Sequence, residues 1–106
     1  MGTNHTIYIR SMADIADVIS RGLERGALLL EESNLCQEFF DLRSGLAGEL
    51  FQKSVNYQIP LAIVISDAKK HGDRFNELMH EHRRHPFVRF FPSKAEARAW
   101  LEAKRT

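Results

Sequence analysis

The sequence predicts a layered α/β domain with about four mostly parallel strands, each followed by a helix. Short apolar or β-branched runs alternate with segments of helical periodicity, and a capping residue, glycine or proline marks most junctions. The run at 61–65 (LAIVI) is apolar throughout, as a strand covered on both faces must be. Regular alternation implies a mostly parallel sheet, because parallel neighbours need crossover connections that helices supply.

Residues 6–10 (TIYIR) have the β-branched and aromatic content of a short strand. Ser11 caps the next helix, with Asp14 three residues on as its capping-box partner. Ile15, Ile19 and Leu23 recur at four-residue spacing as the buried stripe, and Gly26 ends the helix by accepting the left-handed conformation. Residues 27–31 (ALLLE) read as a strand covered on both faces. Ser33 caps a brief turn through Cys36 to Phe40. A longer helix is expected over 42–57 with Asp41 as N-cap, and Leu46, Ala47, Leu50, Phe51, Ser54 and Val55 lie along its inward side.

Pro60 closes the connection to the central strand 61–65, which leaves Ser66 and Asp67 at its carboxyl end. After a polar loop (AKKHG), Asp73 caps a helix carrying Phe75, Leu78, Met79 and His82, and Pro86 stops it. Residues 87–91 (FVRFF) form the last strand. Ser93 with Glu96 opens a terminal helix that turns Ala97, Trp100 and Leu101 inward.

The chain has 106 residues, the size of one domain, and 43% of them are apolar, enough for a core without disulfides or metal. Fifteen Lys and Arg against fourteen Asp and Glu leave a net charge of +1, which argues against a dedicated nucleic-acid binder. The single cysteine, Cys36, has no partner for an internal disulfide and suits a reducing cytoplasm. The start (MGTNHTIYIRS) lacks the pattern of a signal peptide, and no apolar run is long enough for a bilayer. The expectation is a cytoplasmic single domain with no membrane contact and no cofactor.

The most informative stretch is 39–50 (FFDLRSGLAGEL), which places an acid, a base, a hydroxyl and two glycines where a helix is expected to start. Its extension through 57, with the LAIV strand after it, resembles a bacterial domain-of-unknown-function family, numbered 4180. The shared residues are Phe39, Phe40, Asp41, Leu42, Ser44, Gly45, Leu46, Ala47, Gly48, Glu49, Gln52, Lys53, Val55, Asn56 and Tyr57. The family shows hydroxyl residues after the LAIV strand, where this chain has Ala68, Lys69, Lys70, His71 and Gly72. That family carries no assigned activity. A weaker resemblance is to the STAS domains of anti-sigma-factor antagonists and SpoIIAA-like proteins, in which a serine at a helix start is phosphorylated. Residues 41–46 (DLRSGL) look like that turn, with Arg43 replacing its usual first serine, and 90–101 (FFPSKAEARAWL) look like the SpoIIAA-like ending. The resemblance implies a SpoIIAA-like fold and a phospho-acceptor role for Ser44.

Ser44 is expected as the third residue of its helix, where a phosphate would gain about 0.3–1 kcal/mol from the helix terminus and more from Arg43. The plainer reading gives Ser44 a local hydrogen bond and Asp41 a capping role. Gly45 and Gly48 each cost about 1 kcal/mol inside a helix, which points to close packing or partner access. Glu49 is placed to meet Lys53 four residues on. His80, His82 and His85 invite a metal reading, but only His82 and His85 have compatible spacing and no third ligand is evident. There is no P-loop, no GxGxxG and no GxSxG.

The leading expectation is a non-enzymatic interaction module with another protein as partner, using Asp41, Arg43, Gly45, Gly48 and Glu49 as its surface and Ser44 as the modified hydroxyl. The alternative is a small-molecule-binding or enzymatic domain with its site at Ser66, Asp67 and His71, because open α/β sheets place ligands at strand carboxyl ends. A homodimer joined through exposed aromatic residues such as Phe51 or Tyr57 is the third.

Overall fold

The computed structural model describes residues 7–105. Helix α1 (Met12–Arg25) begins at Ser11, whose Oγ accepts the Asp14 N–H at 3.3 Å while the Asp14 carboxylate accepts the Arg10 N–H at 3.0 Å. Gly26, at φ 84°, ends it and donates its N–H to Gly22 at 2.7 Å. The chain then forms β1 (Leu28–Glu31), two short 3-10 turns, a third 3-10 turn at Leu42–Ser44, and α2 (Leu46–Asn56). Strand β2 (Leu61–Val64) leads through a 3-10 turn at Ala68–His71 into α3 (Asp73–Glu81), followed by β3 (Val88–Phe91) and α4 (Lys94–Arg105). No helix among the described residues is long and apolar enough to cross a membrane.

The strands make one parallel sheet in the order β1-β2-β3, with Leu28, Leu61 and Val88 in register, and Leu30, Ile63 and Phe90 two residues on. Period-two alternation divides their side chains. Leu28, Leu30, Leu61, Ile63 and Val88 join Ile15, Val18, Ile19, Phe39, Leu50, Phe51 and Phe75 in the main core. Helix α4 packs against β2 and β3, with Ala97 fully buried. Its start is the expected box, Ser93 Oγ accepting the Glu96 N–H at 3.3 Å and donating to the Glu96 carboxylate at 3.0 Å.

The layered α/β class, the parallel sheet and the central place of 61–64 match the expectation from sequence. The strand expected at 6–10 is reduced to one parallel bridge between Ile9 and Leu35, with Ile9 N–H to Asn34 O at 2.7 Å and Cys36 N–H to Ile9 O at 3.0 Å; Thr6 lies outside the described residues. The Ser11 cap follows so closely that no ladder can extend. Strand β1 is covered less fully than expected, since Leu29 is half-buried. Ser33 lies inside a 3-10 turn instead of capping it, and the first turn of α3 is preceded by Gly72, at φ 93°, with Asp73 as its first helical residue.

Leu23 is not buried: it is 53% exposed. At 100° per residue it sits roughly 80° round the helix from Ile15, whereas Val18, Ile19 and Gly22 cluster about the direction of the sheet. A Cβ on Gly22 would meet Ile59 and Leu28 at 3.0 Å, so glycine permits the close approach of α1 to the core. On α2 the inward set is Leu46, Ala47, Leu50, Phe51 and Ser54, whereas Val55 is 39% exposed.

Ser54 is fully buried and its Oγ has no hydrogen-bond partner among the described residues. A desolvated, unpaired hydroxyl costs free energy, and alanine is the better helix former. Ser54→Ala should therefore raise unfolding stability by about 1 kcal/mol, read as a higher urea midpoint with unchanged m-value. A lower midpoint would show that the hydroxyl is satisfied in solution.

Candidate functional site

Because all three strands run in parallel, their carboxyl ends open along one edge of the sheet. Glu31 pairs in register with Val64, so Glu32 falls beside the residues that follow β2. Its Oε1 accepts the Ser66 hydroxyl at 3.3 Å and the Ser66 N–H at 3.4 Å, and its Oε2 lies 2.7 Å from Nε2 of His71. Asp67 holds the intervening turn by accepting the Lys69 N–H at 3.1 Å. The imidazole of His71 lies flat on Phe40, with ring centroids 3.6 Å apart and planes 6° from parallel. Phe40 in turn meets Phe39 and Phe75 edge-on, which ties the pair to the core.

Both groups are substantially covered, the His71 side chain being 12% exposed and that of Glu32 24%. Burial alone would raise the Glu32 pKa, but hydrogen bonds from His71 and Ser66 outweigh it and hold the carboxyl below its ordinary value. A carboxylate only accepts, so Nε2 of His71 carries the proton; in the neutral ring Nδ1 then bears the free lone pair. The arrangement fixes both the tautomer and the plane of the imidazole.

The chain expected to start a helix at Leu42 does something else. Asp41 caps a 3-10 turn at Leu42–Ser44, accepting the Arg43 N–H at 3.0 Å and guanidinium hydrogen bonds at 3.2 and 3.3 Å. The Arg43 contacts hold the Asp41 carboxyl below its usual range and raise the guanidinium pKa, although both side chains remain open to water. Gly45 then takes φ 80°, and α2 starts at Leu46. Ser44 is therefore outside the helix, exposed, with its Oγ accepting the Leu46 N–H at 3.2 Å. Left-handed geometry accounts for Gly45. Close packing does not account for Gly48, because a Cβ there would meet open space.

An open cleft of about 560 Å³ separates this turn from the start of α3, walled by Phe40, Asp41, Arg43, His71, Asp73 and Arg74. A neighbouring concavity of about 320 Å³ shares Phe40 and His71 and adds Glu32, Gln37 and Lys70. Two stretches that looked like rival sites in the sequence thus face one another. Asp41, Arg43 and His71 share the cleft, while Ser66 and Asp67 stand behind it holding Glu32 and the turn. Gly45, Gly48 and Glu49 do not line it; Glu49 pairs with Lys53 at 3.8 Å on another face. Glu32 and Phe40 are the residues that the sequence reading did not assign to a site. The signal was available for Glu32, as an acid just past the end of a strand whose parallel neighbour ends in Ser-Asp.

The histidine cluster does not form a metal centre. His82 gives its Nδ1 proton to the Leu78 carbonyl at 2.8 Å, whereas Nδ1 of His85 accepts the N–H groups of Phe87 and Val88 at 3.0 and 3.1 Å. His85 then carries its proton on Nε2, the nitrogen that would have to bind metal. Burial, with the charges of His82 and Arg89, lowers its pKa. Among the described residues no group of three or more His, Cys, Asp or Glu side chains is placed to hold a metal ion. Cys36 is buried in the core, away from any partner base in sequence.

A family model described as "Domain of unknown function (DUF4180)" matches residues 2–101. No curated protein and no solved structure matches the chain.

Glu32→Gln keeps the shape of the side chain and removes its charge. The variant should be about 1–2 kcal/mol less stable at neutral pH, the scale of a partly exposed charged hydrogen-bond network. Because the folded pKa lies below the ordinary 4.5, the stabilisation is complete above that value and is lost as pH falls through the lowered one. Urea midpoints between about pH 3 and pH 7 should thus fall more steeply in acid for the wild type than for Glu32→Gln. Parallel acid limbs would remove Glu32 from the account.

Proposed function

The chain belongs to the DUF4180 family, whose description assigns no activity, and we propose that it is a small-molecule-binding domain built on the cleft at the carboxyl edge of its sheet. The observation that carries this reading is the 2.7 Å contact that Glu32 makes with His71, a residue on the wall of a 560 Å³ cleft. The cleft has the size range of small-ligand sites, and its polar groups sit on a rigid support of strand end, 3-10 turn and aromatic stack. His71 supplies the discriminating group, a nitrogen of fixed tautomer that accepts or moves a ligand proton.

The charges on the walls indicate the ligand class. Asp41 and Asp73 balance Arg43 and Arg74, and Asp41 already engages Arg43. A polyanion would meet as much repulsion as attraction. A small polar ligand, neutral or zwitterionic, fits this balance better.

A regulatory reading in the manner of the anti-sigma-factor antagonists rests on a separate observation. Ser44 is exposed, in a turn held by Asp41 and Arg43, with its Oγ at the first N–H of α2. A phosphate there would lie at a helix start beside a guanidinium. In this reading the partner is another protein, and the modified turn forms one wall of the cleft.

Two measurements separate the readings. A panel of small neutral and zwitterionic compounds, followed by amide chemical-shift mapping, should give shifts clustered at 40–43 and 70–75 that disappear in His71→Gln. Hits that map elsewhere, or persist in that variant, would count against the cleft. Phosphopeptide analysis of protein from its native host tests Ser44. A hydroxyl that is never modified, with Ser44→Asp leaving partner binding unchanged, would end the regulatory reading.

A further inference from the structure

The α1–α2 face carries an apolar groove that shares no residue with the cleft. It encloses about 280 Å³ and is lined by Met12, Ile19, Leu23 and Tyr57, with Glu49 and Lys53 on one wall. Leu23 is 53% exposed, Tyr57 52% and Met12 49%, the three most exposed large apolar side chains among the described residues. Scattered apolar residues on a surface need no explanation, but three along one groove mark a contact surface.

We propose that a second copy of this chain occupies the groove, related by a two-fold axis. Two features select that occupant. Met12, Ala16 and Leu23 follow one another at spacings of four and seven as the exposed stripe of α1, beside Ile19, which the chain's own core already covers. Such a stripe suits packing on another helix. A second α1 offers the same stripe. The charged residues of the groove are one Glu and one Lys, a turn apart, whose ion pair is loose at 3.8 Å and about 40% exposed on each side. Such a pair contributes little within the chain, so both charges are available to a neighbour. Under a two-fold axis this patch is self-complementary, each Glu49 meeting the partner's Lys53. A partner of one predominant charge would be repelled by one of the two. Tyr57 supplies the amphipathic anchor common at the centre of such contacts.

Of the aromatic residues the sequence put forward for a dimer, Tyr57 is placed for it and Phe51 is not, being 7% exposed in the core. The stripe is short: α1 has 14 residues, about 21 Å of helix. The association should therefore be of micromolar strength, at the small end of specific interfaces. It is independent of what the cleft binds.

Sedimentation velocity of the full chain from about 1 to about 300 µM brackets that range. The expected result is a reversible monomer–dimer equilibrium with no larger species. Leu23→Glu and Tyr57→Ser, both at exposed positions, should each weaken it about tenfold or more while circular dichroism stays unchanged. Glu49→Lys should weaken it as well, and adding Lys53→Glu should restore it. A monomer at every concentration overturns the proposal, as do assemblies beyond a dimer. So does unchanged association in whichever of the two apolar variants folds. A chain that stays monomeric yet binds another protein through this groove also overturns it.

Discussion

Parallel pairing is the constraint on which this small structure depends. Four-residue strands hold few hydrogen bonds, and each parallel neighbour requires the chain to cross back over the sheet before pairing again. Every carboxyl end therefore arrives at the same edge. Glu32, Ser66 and the 3-10 turn bearing His71 come from segments more than thirty residues apart in Glu32's case, yet the register of Glu31 with Val64 sets them side by side. A slip of one residue would send Glu32 to the other side of the sheet and leave His71 without its carboxylate. The site is thus a consequence of register before it is a consequence of side-chain chemistry.

The parts legible in the sequence were those decided by local physics. Ser11 with Asp14, Ser93 with Glu96, and Gly26 all cap as their types and spacings indicate, because each involves groups within four residues. The apolar run at 61–64 could only be central. What the sequence concealed depended on competition between near-equal local choices or on distant partners. Asp41 caps a 3-10 turn and an α-helix by the same kind of bond, so the later start of α2 turned on Gly45 entering the left-handed region. Leu23 obeys the four-residue spacing, but the direction of the sheet is set by Val18 and Gly22 as well. Glu32 stood out less as a site residue because its partners are 34 and 39 positions away, and only the parallel register brings them together.

That displacement of α2 changes how the 41–49 run should be understood. In sequence it is one continuous cluster; in space Gly45 divides it. Asp41 and Arg43 turn toward the cleft, while Glu49 turns toward the α1–α2 groove with Lys53. Gly45 itself lies near the second surface, since a Cβ there would lie 3.5 Å from the Met12 methyl at the head of the groove. Ser44, next to Gly45, sits in a turn whose flanking residues belong to different surfaces.

The Glu32–His71 pair is an expensive way to hold a loop. Desolvating two ionisable groups consumes much of what their attraction returns, and an apolar pair of similar volume commonly serves stability as well or better. Phe40 already provides an apolar surface against which the turn packs, on edge-to-face contacts with Phe39 and Phe75. Aliphatic residues at both 32 and 71 would keep an apolar contact with Phe40 without desolvating a charge. What the imidazole adds is a second ring nitrogen on a residue that lines the cleft, which a purely structural contact does not require. The polar pair at this edge of the sheet is in keeping with the proposed ligand cleft and is not required by packing alone.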